Sequence, residues 1–479
     1  MAFKRLIIAA TAIAGTSSIG FSMMKDKNQT NDTKTNTLGF LPFLAKTQSS
    51  LSPNLLGLSS TLLHAESAPQ KGNRKTRVVV VGGGTAGVTV ASQLLRQASE
   101  TIDVTIIEPH DEHYYQPGWT LVGSGVLDRE ETVRPMKDIL PEKANWLQQS
   151  VATFSPDQNF VTTAEGQKLE YDYLVVAPGI VLNWEGVKGL SETIGKNGVV
   201  SIYAFDQCQA VWKEIKNFKK GTAIFTQPKG AIKCGGAPQK IMWMAEDHFR
   251  RTKIRKDVCV KFATPLGVMF PVARYGGTLE QLRQKRDVDG LFQHALVEVR
   301  GPEKEAVFEK ADGSLVVEKF DLLHVVPPMQ APAFIRNSPL ADATGYVEVD
   351  KETLRHTRFS NIFGLGDASN LPTSKTAAAI SSQAPVVVSN LKSSIAGKPL
   401  IAKYDGYTSC PLLTGKNELI LAEFKYGLVP SETFSSIFDQ SKPSALFYHM
   451  KVEFFPRVYW HCFVKGIWYG PAGFLKPFD

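Results

Sequence analysis

Five cysteines, Cys208, Cys234, Cys259, Cys410 and Cys462, carry the most reactive side chains of this 479-residue chain. No two form C-x-x-C and none has metal-ligand spacing, so no metal site is expected. An odd, sparse set in so long a chain also argues against a structural disulfide framework. Any thiol chemistry must come from particular cysteines meeting in space. Cys234 lies in KCGGAPQK, residues 233–240, ahead of a predicted helix and flanked by Lys233 and Lys240. A helix N-terminus and neighbouring ammonium groups favour the thiolate. A small buried cysteine following a strand is the plain alternative. Cys410 stands before Pro411 in the turn-rich stretch YDGYTSCPLLTG, residues 404–415.

A second chemical feature is RVVVVGGGTAGVTV, residues 77–90. Four valines read as a strand buried on both faces, and an apolar helix follows. Between them Gly82, Gly84 and Gly87 form G-x-G-x-x-G. Gly82 permits the tight turn, Gly84 lets a pyrophosphate approach the backbone, and Gly87 lets helix and strand pack closely. The next strand, VTIIE, ends in Glu108, 21 residues after Gly87. That is about the ~20-residue spacing of a ribose-binding carboxylate. A solvated strand-end acid is the alternative for Glu108.

These residues need elements to hold them. A chain of this length suggests about three domains at ~150 residues each. Residues 76–199 read as the first part of a dinucleotide-binding domain, with a second buried strand in YDYLVVAPG, residues 171–179. The aromatic, glycine-containing stretch 110–126 suits a loop packed over a cofactor. Residues 200–345 read as a second α/β unit, with a strand TAIFT at 222–226 and a helix over 241–251. Where an NADH-using flavoprotein would carry a second G-x-G-x-x-G, this unit has the turn with Cys234. Residues 346–400 return to the first domain. NIFGLGD ends in Asp367, whose carboxylate can meet the ribityl chain of a flavin, or simply close an Asp turn. KTAAA, residues 375–379, then opens a helix whose N-terminus can face the flavin ring. Residues 401–479 hold Cys410 and an aromatic tail. The fold class expected is α/β, with two Rossmann-like dinucleotide-binding domains and a C-terminal membrane-interface segment.

The formal charge of +8 is unevenly placed: residues 1–75 hold nine Lys or Arg against three acids. The remainder is nearly neutral, which argues against a nucleic-acid partner. In that first segment Lys4 and Arg5 precede an apolar run, Leu6–Gly15, followed by residues rich in Ser, Thr and Asn. The run is shorter than the ~20 residues a membrane span needs. An organelle presequence fits, with a secretory signal as the rival. At the other end, 11 of residues 446–479 are aromatic, interleaved with Lys451, Arg457, Lys465 and Lys476. This pattern fits helices lying in a membrane interface, with Trp460 and Trp468 at headgroup level. Packing of the segment on the protein core is the alternative.

From residue 76 onward the chain resembles the sulfide:quinone oxidoreductases of mitochondrial type. The resemblance rests on VGGGTAG, IIEPHDEHYYQPGWTLVGSG, IKCGGAPQKIM, NIFGLGDASNLPTSKTAAA and YDGYTSCPLLTG, all in family order. It implies a bound FAD and a redox pair made of Cys234 and Cys410. It implies that Glu108 holds the adenosine ribose, Gln116 the cofactor loop and Asp367 the ribityl and phosphate region. Val151, Lys375, Thr376 and Ala377 would line the FAD as well. Sulfide would attack the cysteine bridge and leave a persulfide on Cys410. Two electrons would pass by way of FAD to ubiquinone, and the sulfane sulfur to glutathione or sulfite. A place on the mitochondrial inner membrane, at its surface, follows from the same resemblance. Cys208 and Cys259 do not match the third cysteine of some bacterial relatives and are expected to be structural. Two alternatives remain: a type II NADH:quinone oxidoreductase, which needs the second glycine fingerprint, and a non-catalytic FAD-binding membrane protein.

Overall fold

A computed structural model describes residues 74–478. The presequence expectation falls outside the described residues. The elements that position the site, in chain order, begin with β1 (Thr76–Val81), α1 (Thr85–Ala98), β2 (Ile102–Ile107), α2 (Trp119–Gly123), β3 (Asn145–Leu147) and β4 (Tyr173–Val176). They continue with β5 (Val199–Val200), α3 (Phe205–Asn217), β6 (Gly221–Thr226), α4 (Ala237–Arg251), β7 (Val258–Thr264), β8 (Asp289–Phe292) and β9 (Leu322–His324). The last are β10 (Ile362–Gly364), α5 (Ala377–Ile395), β11 (Thr408–Gly415) and β12 (Glu418–Lys425).

Two five-stranded sheets organise these elements. The first runs β10-β4-β1-β2-β3 and the second β5-β9-β6-β7-β8, each pairing parallel throughout. Parallel sheets need both faces covered, which is why the central strand β1 is a continuous apolar run. Val78 to Val81 are all at most 2% exposed. Fully burying one such side chain contributes ~1.5–3 kcal/mol. α1 and α5 cover the first sheet's core and α4 the second's.

Three stretches differ from their sequence reading. Residues 110–126 carry a short strand, Glu112–Tyr114, a turn of 3-10 helix, Gln116–Gly118, and α2. Every residue of α2 is buried, so its apolar content favours a packed helix over a loop. The turn-rich reading of 404–415 is replaced by β11, paired with β12 so that Cys410 faces Ala422. Thr408 and the apolar Leu412 and Leu413 suit a strand buried along nearly its whole length. α4 begins four residues earlier than periodicity suggested. Pro238 lies in its first turn, where the missing N–H costs nothing.

The tail differs most. Tyr459, Trp460, Phe463 and Val464 belong to the same core as β1. Ser92 Oγ donates to the Val464 carbonyl (2.8 Å) and Arg96 Nε to that of Lys465 (2.7 Å), so the tail lies along α1. Trp460 is therefore not at a headgroup level: it is 8% exposed, under the Arg134 guanidinium. The core-packing alternative holds for this part of the segment. Two widened helical turns, Met450–Phe454 and Tyr459–Phe463, flank Pro456. A proline inside the run removes one N–H from the ladder and widens its neighbourhood. No helix among the described residues is long and apolar enough to cross a membrane.

Candidate functional site

The first glycine turn is built for an anion. Gly82 has φ +100°, and a Cβ there would sit 2.5 Å from the Ala177 carbonyl oxygen, so the end of β4 lies against the turn. A Cβ on Gly87 would come within 1.9 Å of the Gly82 oxygen. At Gly84 a Cβ would meet nothing within 4 Å, and no side chain caps α1. Free N–H groups at a helix start, with open approach, suit a phosphate. Glu108 closes the neighbouring strand. Its Oε2 accepts from Gly83 N (2.8 Å), and its Oε1 accepts from His110 N (2.9 Å) and contacts His110 Nδ1 (2.6 Å).

A third side comes from β10 and the start of α5. A Cβ on Gly366 would lie 3.1 Å from the Ala86 Cβ, which brings the Asp367 turn to the beginning of α1. Gly366, Asp367, Thr373, Lys375, Thr376 and Gln383 line a pocket there. Thr376 caps α5 by accepting from Ala379 N (3.0 Å), and Ala377 is the helix's first residue. Lys375 Nζ donates to the Asp367 and Ser369 carbonyls (2.7 and 2.9 Å) and lies 4.3 Å from the Tyr346 ring centroid. Burial lowers its pKa to about 8. Burial also raises the Asp367 carboxyl, against the pull of Lys375 and Lys233.

The cysteines meet beside this pocket. Cys234 donates its N–H to the Lys375 carbonyl (2.7 Å), and its own carbonyl accepts from Ala237 N (2.8 Å). These bonds hold it at φ +51°, a left-handed conformation that costs a non-glycine residue about 1–2 kcal/mol. Such strain, held by its surroundings, is found at functional sites. Both thiols are free. Cys410 on β11 packs beside Cys234, and this contact, followed by Lys240, holds the Cys234 thiol well below its usual range. Lys240 Nζ is 3.2 Å from Cys234 Sγ. The same contact, with burial, pushes Cys410 well above its usual range. Gly236 permits this approach: a Cβ there would be 2.4 Å from Leu412 Cδ2 and 3.5 Å from Cys410 Cβ. Of the two flanking lysines, only Lys240 serves the sulfur; Lys233 Nζ donates to Gln116 Oε1 (3.0 Å).

Gln116 is exposed on its turn, and Val151 is buried at the start of the strand Val151–Ser155. Cys208 is buried on α3, and Cys259 is exposed on β7 beside Asp289 (3.5 Å). No cluster of metal-binding side chains exists among the described residues. Lys451 escaped the sequence reading, which gave it to a lipid headgroup. It is buried, donates to the Pro117 carbonyl (2.8 Å), and burial with Lys240 nearby lowers its pKa to about 7. Its spacing among the aromatics gave no sign of this.

An open glycine turn joined to a buried thiol pair defines a class, the two-dinucleotide-domain flavoproteins, and residues 76–224 match the pyridine nucleotide-disulphide oxidoreductase family. The whole chain places it more narrowly. It is 48% identical to the mitochondrial sulfide:quinone oxidoreductase of Dictyostelium discoideum, over 88% of this chain and 93% of that one. The mouse (Mus musculus) enzyme of the same name is 43% identical over 84% and 89%. The chain thus belongs to the mitochondrial sulfide:quinone oxidoreductase family. The solved sulfide:quinone oxidoreductase of Aquifex aeolicus shares the fold, with a TM-score of 0.67 at 21% identity, over 79% of this chain and 89% of that one. A type II NADH:quinone oxidoreductase of Staphylococcus aureus matches only 25% of the chain, at 29% identity.

Proposed function

We propose that the chain oxidises sulfide at the pair Cys234 and Cys410 and passes two electrons to ubiquinone, with FAD as its resident cofactor. The carrying observation is the unequal setting of the pair: Lys240 Nζ lies 3.2 Å from Cys234 Sγ and favours its thiolate, whereas Cys410 is fully buried on β11, which favours the neutral thiol. Loss of two electrons and of the one proton on Cys410 joins the sulfurs. Hydrosulfide then attacks Cys410 Sγ, the S–S bond breaks, and Cys234 leaves as thiolate. The lower-pKa thiol is the better leaving group, which directs the new persulfide to Cys410. A small acceptor, glutathione or sulfite, takes the outer sulfur and returns Cys410.

FAD, when bound, carries electrons in pairs between the thiols and the quinone. On this reading Gly82, Gly84 and Gly87 with the start of α1 hold its pyrophosphate and Glu108 its adenosine ribose. Asp367, Lys375, Thr376 and Ala377 hold the ribityl and ring region, and Gln116 and Val151 complete the lining. Residues 76–199 and 346–400 form the FAD-binding domain, 200–345 the unit bearing Cys234, and 401–479 supply Cys410 and the membrane-facing end. Leu446, Phe474 and Leu475 are 45%, 37% and 50% exposed, and with the exposed Arg457 and Lys476 they suit the surface of the mitochondrial inner membrane.

Anaerobic mixing of the purified protein with sulfide should bleach the flavin, and NADH should leave it unchanged. Decylubiquinone should restore the colour, and a panel of acceptors should rank glutathione or sulfite first. Bleaching by NADH alone would overturn the reading in favour of the NADH oxidoreductase.

A further inference from the structure

The tail carries a hydroxyl whose bonds run back to the glycine turn. Tyr459 is 2% exposed, and its Oη lies 2.7 Å from His113 Nε2 and 2.7 Å from Thr85 Oγ1. His113 Nδ1 lies 3.1 Å from the Gly83 carbonyl oxygen. The proton positions follow by elimination. A carbonyl only accepts, so Nδ1 carries the imidazole proton and donates to Gly83. Burial lowers the His113 pKa to about 4, so the ring is neutral at pH 7 and Nε2 accepts. Tyr459 spends its single proton on Nε2, so the Thr85 hydroxyl donates to Tyr459. The chain therefore runs Thr85 to Tyr459 to His113 to Gly83.

Its two ends, Gly83 and Thr85, flank Gly84, the position where approach to the backbone is open. The geometry points to Tyr459 as a positioning residue for cofactor binding: through His113 and Thr85 it sets the backbone on both sides of Gly84, so that docking of the C-terminal tail and retention of FAD are one event. The Thr85 proton is committed to Tyr459, so this hydroxyl does not donate to a phosphate. Tyr459 also packs its ring on Tyr115, with centroids 4.7 Å apart, and a phenylalanine keeps that contact. This inference rests on FAD as the cofactor.

The test uses the full chain, stripped of flavin and titrated with FAD by fluorescence quenching. Tyr459→Phe should raise the FAD Kd about tenfold, as for loss of a buried hydrogen-bonded link of ~1.4 kcal/mol. The flavin-free protein should still unfold cooperatively within a few degrees of the wild-type midpoint, the small loss reflecting the His113 Nε2 left without a donor. Thr85→Val should weaken FAD to a similar degree, and the double variant no further than either single one. Wild-type affinity in Tyr459→Phe, or a Kd unchanged beside a lowered melting temperature, overturns the proposal, as do additive effects in the double variant. Should Tyr459→Phe fail to fold, Thr85→Val with wild-type affinity overturns it alone. A wild-type protein that binds no FAD contradicts the cofactor assignment instead.

Discussion

Each of the two parallel sheets sends a strand into a turn and a helix, and the two turns are put to different use. After β1 the turn is short and all glycine, and α1 begins uncapped beside Gly84. After β6 the link is longer, and three residues ahead of the first residue of α4 it holds Cys234 in a left-handed conformation. Both helices present a positive end. α1 offers free N–H groups to a phosphate, whereas at α4 the Ala237 N–H is taken by the Cys234 carbonyl and Pro238 has none, so the sulfur relies on Lys240 beside it. What the turn carries divides the two: the first is left open to a ligand's oxygen at Gly84, whereas the second brings its own sulfur on Cys234.

The sharpest break of this contrast is removal of the sulfur. Cys234→Ser and Cys410→Ser should each lower sulfide-dependent quinone reduction on the order of 10³-fold or more, with flavin content kept. Steady-state rates with decylubiquinone check this, and near-normal turnover in either variant would remove the pair from the mechanism. A smaller effect should follow from Lys240→Met, which takes away the ammonium 3.2 Å from Cys234 Sγ. Without that cation the thiol pKa rises, so thiolate is lost at neutral pH and regained as pH increases. The rising limb of the pH profile for flavin reduction should move to higher pH. The rate at pH 7 should fall about tenfold, as for loss of a charge-assisted bond of ~1.5 kcal/mol. An unmoved limb would separate Lys240 from thiolate stabilisation. The mildest is on the glycine side. Glu108→Ala removes the acceptor for Gly83 N–H and should weaken FAD about fivefold, leaving the pH profile of the thiols in place. Full flavin with lost sulfide oxidation would show that Glu108 serves the cysteines instead.

The glycine turn was legible because backbone conformation, not distant packing, dictates it: each of Gly82 and Gly87 is needed where a Cβ would collide with main chain. Glu108 and Asp367 were legible for a related reason, as acids at strand ends near that turn. Cys234 showed its helix and its cations locally, but its partner lies 176 residues away. Only the family resemblance joined them. The conformation of Cys410 was hidden because tyrosines, glycine and proline outweighed a short β pattern that pairing with β12 stabilises. The tail was only partly legible, because amphipathic composition serves two surfaces equally. Aromatics with basic residues suit lipid, and equally suit α1, whose Ser92 hydroxyl and Arg96 guanidinium lie more than 300 residues earlier in the chain.

The first sheet has a consequence for how the chain matures. Its edge strand β10 follows its neighbour β4 only after the whole second unit, and its core is completed by Val464 near the chain's end. During synthesis all five strands of the second sheet emerge in sequence before β10, although its core takes residues of β11 and β12 as well. Contacts of such long sequence separation form slowly, because loop closure precedes their reward. The first sheet should therefore close after the second, once β10 and Val464 are both available.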